Sequence, residues 1–225
     1  MIKVFTKNIE NISNARVQEH YRALSRYRKT KADKCRNGET FLRSVEAGYL
    51  LEKSFSDFFG IPAGRAEYEI GAHGKPFIKG RPDVIFSISH TRNAVMAVLA
   101  IDEKSKEGAP CVAVGCDIEQ VRERKADRKL AESLFSKEEY EYVMKNGGFD
   151  PEAFLKIWTI KESFGKALGK GLSLSLSDIK VSFDEQGELR TEQSLYDGDA
   201  VFMEAPCYAE GCVNAICVLY KCRKG

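Results

Sequence analysis

The segment Val114-Gly115-Cys116-Asp117-Ile118-Glu119 constrains this chain more than any other. With Val112 and Ala113 it alternates at the period of a β-strand. Val112, Val114, Cys116 and Ile118 then share one face, and Ala113, Gly115, Asp117 and Glu119 the other. The first face is core. The second carries small residues and then two carboxylates about 7 Å apart, at i and i+2. Neighbouring carboxylates repel, and one takes up a proton near neutrality unless a cation sits between them. Oxygen donors of this kind suit Mg²⁺, which takes one or two carboxylates and completes its octahedron with phosphate oxygens and water. A solvent-exposed strand end is the alternative reading.

Two further islands put charge beside apolar residues. In Trp158-Thr159-Ile160-Lys161-Glu162-Ser163-Phe164-Gly165-Lys166, helical spacing places Trp158, Glu162 and Lys166 on one face. A Glu–Lys pair at that spacing is commonly surface decoration worth roughly 0.2–0.5 kcal/mol. Here it lies beside Phe154 and the only tryptophan, which points to a partly buried face whose charges need partners. A third carboxylate from this helix could complete a metal site. In Phe86-Ser87-Ile88-Ser89-His90, the residues Phe86, Ile88 and His90 alternate inward, with Ser87 and Ser89 opposite. His90 is then either a structural hydrogen-bonder or, beside phosphates, an anion contact.

The remaining sequence bounds the setting. A chain of 225 residues fits one large domain or two halves sharing a core. Net charge is only +2, so the molecule as a whole is no polyanion binder. Residues 22–36 nevertheless hold seven basic side chains (Arg22, Arg26, Arg28, Lys29, Lys31, Lys34, Arg36) against Asp33. They read as a solvated helix face or as a phosphate-anchoring patch. No signal-peptide pattern and no apolar run near the ~20 residues of a membrane span is visible, so a cytoplasmic protein with reduced cysteines is expected. Cys207, Cys212, Cys217 and Cys222 recur every five residues, the wrong spacing for a zinc knuckle, and are expected to be small core residues.

Periodicity predicts helices over residues 14–32 and 41–59, the second ended by Gly60-Ile61-Pro62. Strands are predicted near 67–70, 84–89, 94–101 and 111–119, with a linker at 102–110. Ser136 and Glu139 form a capping box for a helix to about residue 145. Asp150, Pro151 and Gly169 bound another helix. Asn93-Ala94-Val95-Met96-Ala97-Val98-Leu99 echoes Asn214-Ala215-Ile216-Cys217-Val218-Leu219, and Phe41-Leu42-Arg43 echoes Phe154-Leu155-Lys156. If the echo is a repeat, two related halves join near 102–110 with a cleft between them.

Taken together, the islands resemble 4′-phosphopantetheinyl transferases of the Sfp type. Ile88-Ser89-His90 is similar to that family's I-S-H motif, residues 115–119 to its G-x-D-x-E motif, and residues 158–166 to W-[ST]-x-K-E-[AS]-x-x-K. Lys75-Pro76 is similar to an upstream K-P element. The resemblance covers about residues 25–185 and, more loosely, the rest of the C-terminal part. Departures are the charged 102–110 linker and Cys116 in place of an aliphatic residue.

The resemblance implies an α+β fold made of a pseudo-twofold pair of sandwich-like α/β halves, residues 1–105 and 106–225, with coenzyme A in the cleft. It implies a Mg²⁺-dependent transfer (Mn²⁺ being possible) of the 4′-phosphopantetheine arm of coenzyme A to a serine of an acyl or peptidyl carrier protein, releasing 3′,5′-ADP. Asp117, Glu119 and Glu162 would hold the metal. His90, Lys161 and Lys166 would meet phosphates, with Ser89 beside them, and Lys31, Lys34 and Arg43 would address the 3′-phosphate and adenine side. Lys75 and Pro76 would lie near the adenine. Glu162, Lys166 and His90 would be the catalytic set, Glu162 as general base. The carrier would dock on residues 121–142 through Arg122, Arg124, Lys125, Arg128 and Lys129, with Leu130, Leu134 and Phe135. A monomer without nucleic-acid or membrane partners is expected. The rival readings are another Mg²⁺-dependent nucleotide or phosphate hydrolase, for which no P-loop is seen, and a basic nucleic-acid-binding module, which leaves the three islands unexplained.

Overall fold

In chain order the elements are β1 (Ile2–Asn8), α1 (Asn14–Ala23), α2 (Arg26–Asp33), α3 (Gly38–Phe59), β2 (Tyr68–Ile70), β3 (Pro76–Ile78), β4 (Ile85–His90) and β5 (Ala94–Ala100). Then follow β6 (Cys111–Gln120), α4 (Lys125–Leu134), α5 (Lys137–Val143), α6 (Pro151–Leu168), a 3-10 turn, β7 (Ile179–Phe183), β8 (Leu189–Gln193), β9 (Gly198–Met203) and β10 (Cys212–Lys221). This computed structural model describes residues 1–101, 104, 108–121, 125–144, 148–170, 175–184, 186–206 and 209–222, without the side chains of 125–127. No described helix is long and apolar enough to cross a membrane.

The internal echo falls on equivalent places. One antiparallel sheet has the order β1-β5-β4 and the other β6-β10-β9, so each puts its first strand beside its last and the last beside its penultimate. The two echo segments lie on the central strands, β5 and β10, and the Phe-Leu-basic triplets on the long helices α3 and α6. A small hairpin, β2–β3 or β7–β8, follows each long helix.

Central strands are buried on both faces, which is why they read as continuous apolar runs. Ala94, Met96, Val98 and Ala100 face across to Val114, Cys116, Ile118, Ile216 and Val218 in one shared cluster. On the opposite face of the first sheet, Ala97 and Leu99 pack with Leu51 and Phe55 of α3. Cys217 and Leu219 of the second sheet pack with Phe164 of α6. The layers therefore run helix, sheet, sheet, helix. Met96, Val98, Val114, Ile118, Ile216 and Val218 are fully buried at the shared face. At roughly 1.5–3 kcal/mol each they rival the whole net stability of a domain, so the halves do not part without unfolding.

Several expectations need correction. The predicted 14–32 helix is two helices, because Leu24 is extended and Ser25 caps α2 by accepting from the Arg28 amide. The Ser25 amide itself donates to buried Glu52, 2.8 Å away, so the break is locked by a tertiary bond. Val112 leaves the core face and is 42% exposed, because Leu219 pairs with Ala113 and Tyr220 with Cys111, bulging Val112 out. Of the periodic cysteines, Cys217 is core, Cys212 is half-buried with its thiol on Asn93, and Cys222 is exposed. Cys207 lies outside the described residues, as does most of the 102–110 linker. The boundaries of α6 agree with expectation: Asp150 caps it by accepting from the Glu152 and Ala153 amides, and Gly169 ends it at φ 71°.

Candidate active site

Glycine at position 115 sets the site. A Cβ there would collide with the Ser163 carbonyl and the Ala167 amide, so only glycine lets α6 lie directly on β6. That contact roofs the second face of β6 and leaves Asp117 only 5% exposed, which removes the exposed-strand-end reading. It also brings Glu162 and Lys166 beside Asp117.

A cavity of about 540 Å³ opens between the two halves. The second half contributes Asp117, Glu119, Trp158, Glu162 and Lys166, so the predicted helix face and the carboxylate pair do meet. The first half contributes Lys31, Ser89, His90 and Pro76. Lys166 donates to Asp117 Oδ1 at 2.6 Å and to Ser89 Oγ at 2.9 Å, and Ser89 donates to the same carboxylate oxygen at 2.8 Å. Asp117 Oδ2 is buried and has no hydrogen-bond partner. Among the described residues, no three His, Cys, Asp or Glu side chains alone gather tightly enough to hold a metal.

Electrostatics mark the same groups. Burial, and then the negative charge of Asp117, raise the Glu162 carboxyl above its ordinary range, against the pull of Lys166. For Lys166, burial opposes the charge but Asp117 and its neighbours overcome this, and the ammonium is held more firmly protonated. His90 lines the cleft with its side chain open to solvent on one side, and the surrounding protein, followed by the Arg43 and Lys166 cations, lowers its pKa.

Sequence reasoning overlooked Arg28 as a site residue. It lines the cavity, is 8% exposed, donates to the Ser44 carbonyl at 3.3 Å, and has a buried Nε with no partner. Gly48 makes room for it, since a Cβ there would approach Nε to 2.7 Å. The available signal was its i,i+3 spacing from Lys31 on a basic helix.

Other predicted contacts go elsewhere. Lys161 is fully buried and faces away from the cleft, donating to Glu139 Oε2 at 2.8 Å and to the Leu176 and Ile179 carbonyls at 2.8 and 2.7 Å. It cannot meet a phosphate in this position. Its partner Glu139 also accepts from the Ser136 and Val181 amides, so the predicted capping box is part of this hub. Lys75 reaches across the halves and donates to the Val114 and Ala167 carbonyls at 3.1 and 2.9 Å. Its ammonium thus ties the β2–β3 hairpin to β6 and the end of α6, and burial lowers its pKa to about 8. Pro76 beside it does line the cleft. Lys34 is an exposed residue at the end of α2 and is not part of the cavity lining. Arg43 stands behind the lining, near enough to act on His90, with a buried and unpartnered Nε.

Of the expected docking segment, Arg122, Arg124 and the Lys125 side chain lie outside the described residues. Lys129 and Leu130 are exposed, and Arg128 pairs loosely with Glu132 at 3.6 Å. Phe135 turns inward and stacks on Phe154 with ring centroids 5.1 Å apart, so it belongs to the core.

Comparison with known proteins converges on one family. The model of the 4′-phosphopantetheinyl transferase superfamily matches residues 113–205. A 4′-phosphopantetheinyl transferase of Bacillus subtilis is 28% identical over 204 residues, covering 85% of this chain and 86% of the relative. The 4′-phosphopantetheinyl transferase Sfp of Bacillus subtilis strain 168 is 29% identical over 195 residues, covering 85% and 79%. A holo-[acyl-carrier-protein] synthase of Treponema denticola is 42% identical over a shorter stretch of 81 residues, 34% of this chain and 65% of its own. The family match begins inside β6 and runs through α6, the two elements that Gly115 presses together, and the Bacillus relatives align over most of their own length, so this chain is similar to 4′-phosphopantetheinyl transferases of the Sfp type.

Proposed function

We propose that this chain transfers the 4′-phosphopantetheine arm of coenzyme A to a serine hydroxyl of an acyl or peptidyl carrier protein. The observation that carries this reading is the buried, unpartnered Asp117 Oδ2 in a cleft shared with Glu119, Glu162, Lys166, His90 and Arg28. An orphaned carboxylate oxygen in a site rich in both charges calls for a cation that brings further oxygen ligands with it. The oxygen donors suit Mg²⁺ or Mn²⁺, and Asp117, Glu119 and Glu162, which do not close on a common point by themselves, would hold it together with the pyrophosphate. When bound, the metal would neutralise charge building on the phosphoryl group and polarise it.

The chain's own residues do the rest. Lys166 and His90 would hold pyrophosphate oxygens, and Arg28 and Lys31 the 3′-phosphate, so that the cleft orients coenzyme A along its length. The serine oxygen attacks the phosphorus that bears the pantetheine arm, its proton passes to Glu162, and the bond to the bridging oxygen breaks to release 3′,5′-ADP. A carboxyl raised by burial is suited to accept that proton. The functional division follows residues 1–105, which address the nucleotide, and 106–225, which supply the metal ligands and the carrier-docking segment. Since both halves share one core, a single chain builds the whole cleft, and the proposal includes a monomer working in the cytoplasm.

The direct test is mass spectrometry of an apo carrier protein incubated with coenzyme A, Mg²⁺ and this protein. A carrier gaining the mass of the arm supports the reading, and an unmodified carrier across acyl- and peptidyl-carrier types sinks it.

Two predictions follow from placement. Lys31→Ala should raise KM for coenzyme A about tenfold and leave kcat within about threefold, because the 3′-phosphate is remote from the bond being broken. The loss should shrink with dephospho-coenzyme A, while Lys34→Ala, outside the cavity, should change neither constant. Equal losses on both substrates would place Lys31 on another group. For the carrier, Arg128→Glu combined with Lys129→Glu should raise its KM at low salt, by about tenfold, and leave KM for coenzyme A unaltered. Normal modification by that variant at low salt would move the docking surface elsewhere along the cleft.

A further inference from the structure

Strand β4 pairs with β5, and β6 pairs with β10, yet no backbone ladder joins the two sheets where β4 and β6 run side by side among the described strands. Hydroxyls at alternate positions join them instead. Ser87 Oγ accepts from the Cys116 amide at 3.0 Å, and Ser89 Oγ donates to Asp117 at 2.8 Å. One step further, past the end of β4, Thr91 Oγ1 accepts from the Gln120 amide at 3.1 Å and donates to Glu119 Oε2 at 3.2 Å.

Thr91 differs from the other rungs in what it can fix. A hydroxyl has a single proton. With its oxygen already engaged by the Gln120 amide, that proton has a defined direction, toward the Glu119 carboxylate. The side chain is β-branched, stiff at χ1, and only 4% exposed, so solvent does not compete for it. Its backbone amide is also held, on the Ala94 carbonyl at 2.8 Å. A rigid buried donor on one half thus grips a carboxylate presented by the other.

We propose that Thr91 is a positioning residue that aims the Glu119 carboxylate at the cation beside Asp117, an inference that rests on the metal reading given above. Outer-shell partners of this kind commonly alter metal affinity by about 10–100-fold.

Mn²⁺ binding to the full chain, read by electron paramagnetic resonance in saturating coenzyme A, tests this without depending on turnover. Thr91→Val keeps the shape and loses the hydroxyl, and should weaken Mn²⁺ at least about tenfold. Thr91→Ser keeps the hydroxyl and should stay within about threefold of wild type. Ser87→Ala removes a rung to a backbone amide, and should lower the melting temperature while leaving the Mn²⁺ dissociation constant within about twofold. If Thr91→Val does not fold, Thr91→Ala against Thr91→Ser gives the same comparison. A valine variant that binds Mn²⁺ as tightly as wild type, or a serine variant as weak as the valine one, overturns the role of Thr91 alone. Wild type failing to bind Mn²⁺ overturns the metal reading and, with it, this inference.

Discussion

Asp117→Ala and Glu162→Ala should each lower phosphopantetheinyl transfer at least about a hundredfold, the scale at which a transition-state charge stabiliser is lost. Asp117 is the better-defined case. Its Oδ1 is held by Lys166 and Ser89, so its orientation is set before any ligand arrives, and Oδ2 is left as a buried acceptor. Truncation removes both oxygens and leaves Lys166 without its nearest anion, so circular dichroism must accompany the kinetics. In the proposed mechanism Glu162 acts from the facing helix, and its carboxyl, raised by burial, would serve both as ligand and as proton acceptor. Extra Mg²⁺ should therefore recover less activity in the Glu162 variant than in the Asp117 variant. Near-normal turnover of either folded variant at saturating Mg²⁺ would take that residue out of the reaction.

Gly115→Ala should be unusually damaging for the addition of a single methyl group. The added Cβ meets backbone, the Ser163 carbonyl and the Ala167 amide, and neither can rotate away as a side-chain tip could. Helix α6 must lift from β6, losing part of its packing, at about 3 kcal/mol or more. For a chain of this length that lowers the melting temperature by roughly 6–12 °C. The same lift carries Glu162 and Lys166 away from Asp117, so the residue fraction that stays folded should also be impaired in transfer. A variant with wild-type melting temperature and activity would show that the close helix–strand contact is unnecessary.

What could be read from the sequence was whatever local chemistry decides. Asp150, Pro151 and Gly169 bound α6 through caps that act within a few residues, and the alternation around Asp117 follows from the period of a strand. Trp158, Glu162 and Lys166 reached one cavity because helical spacing alone puts them on one face. The main errors involve partners distant in sequence. Lys161 is drawn inward by Glu139 and two carbonyls, Lys75 crosses to the other half, and Ser25 breaks a helix because Glu52 waits for its amide. Arg28 was hidden among six other basic residues, because its i,i+3 spacing from Lys31 also relates Arg26 to Lys29 and Lys31 to Lys34, and the gap made by Gly48 sets it apart. Val112 shows the same limit in a strand: the bulge that turns it outward depends on the register of β10.

The hub around Lys161 has a mechanical meaning. Successive residues of an α-helix point about 100° apart, and a helix held only by an apolar stripe can roll about its axis at little cost. Lys161 and Glu162 are such neighbours, one driven into the interior and the other toward the cleft. Three short bonds of defined direction on the buried ammonium act as a key in a slot. Rolling α6 would have to break them in a place without water to replace them. The angular setting of Glu162, the proposed base, is therefore held from another face of its own helix, by the neighbouring side chain buried away from the cleft.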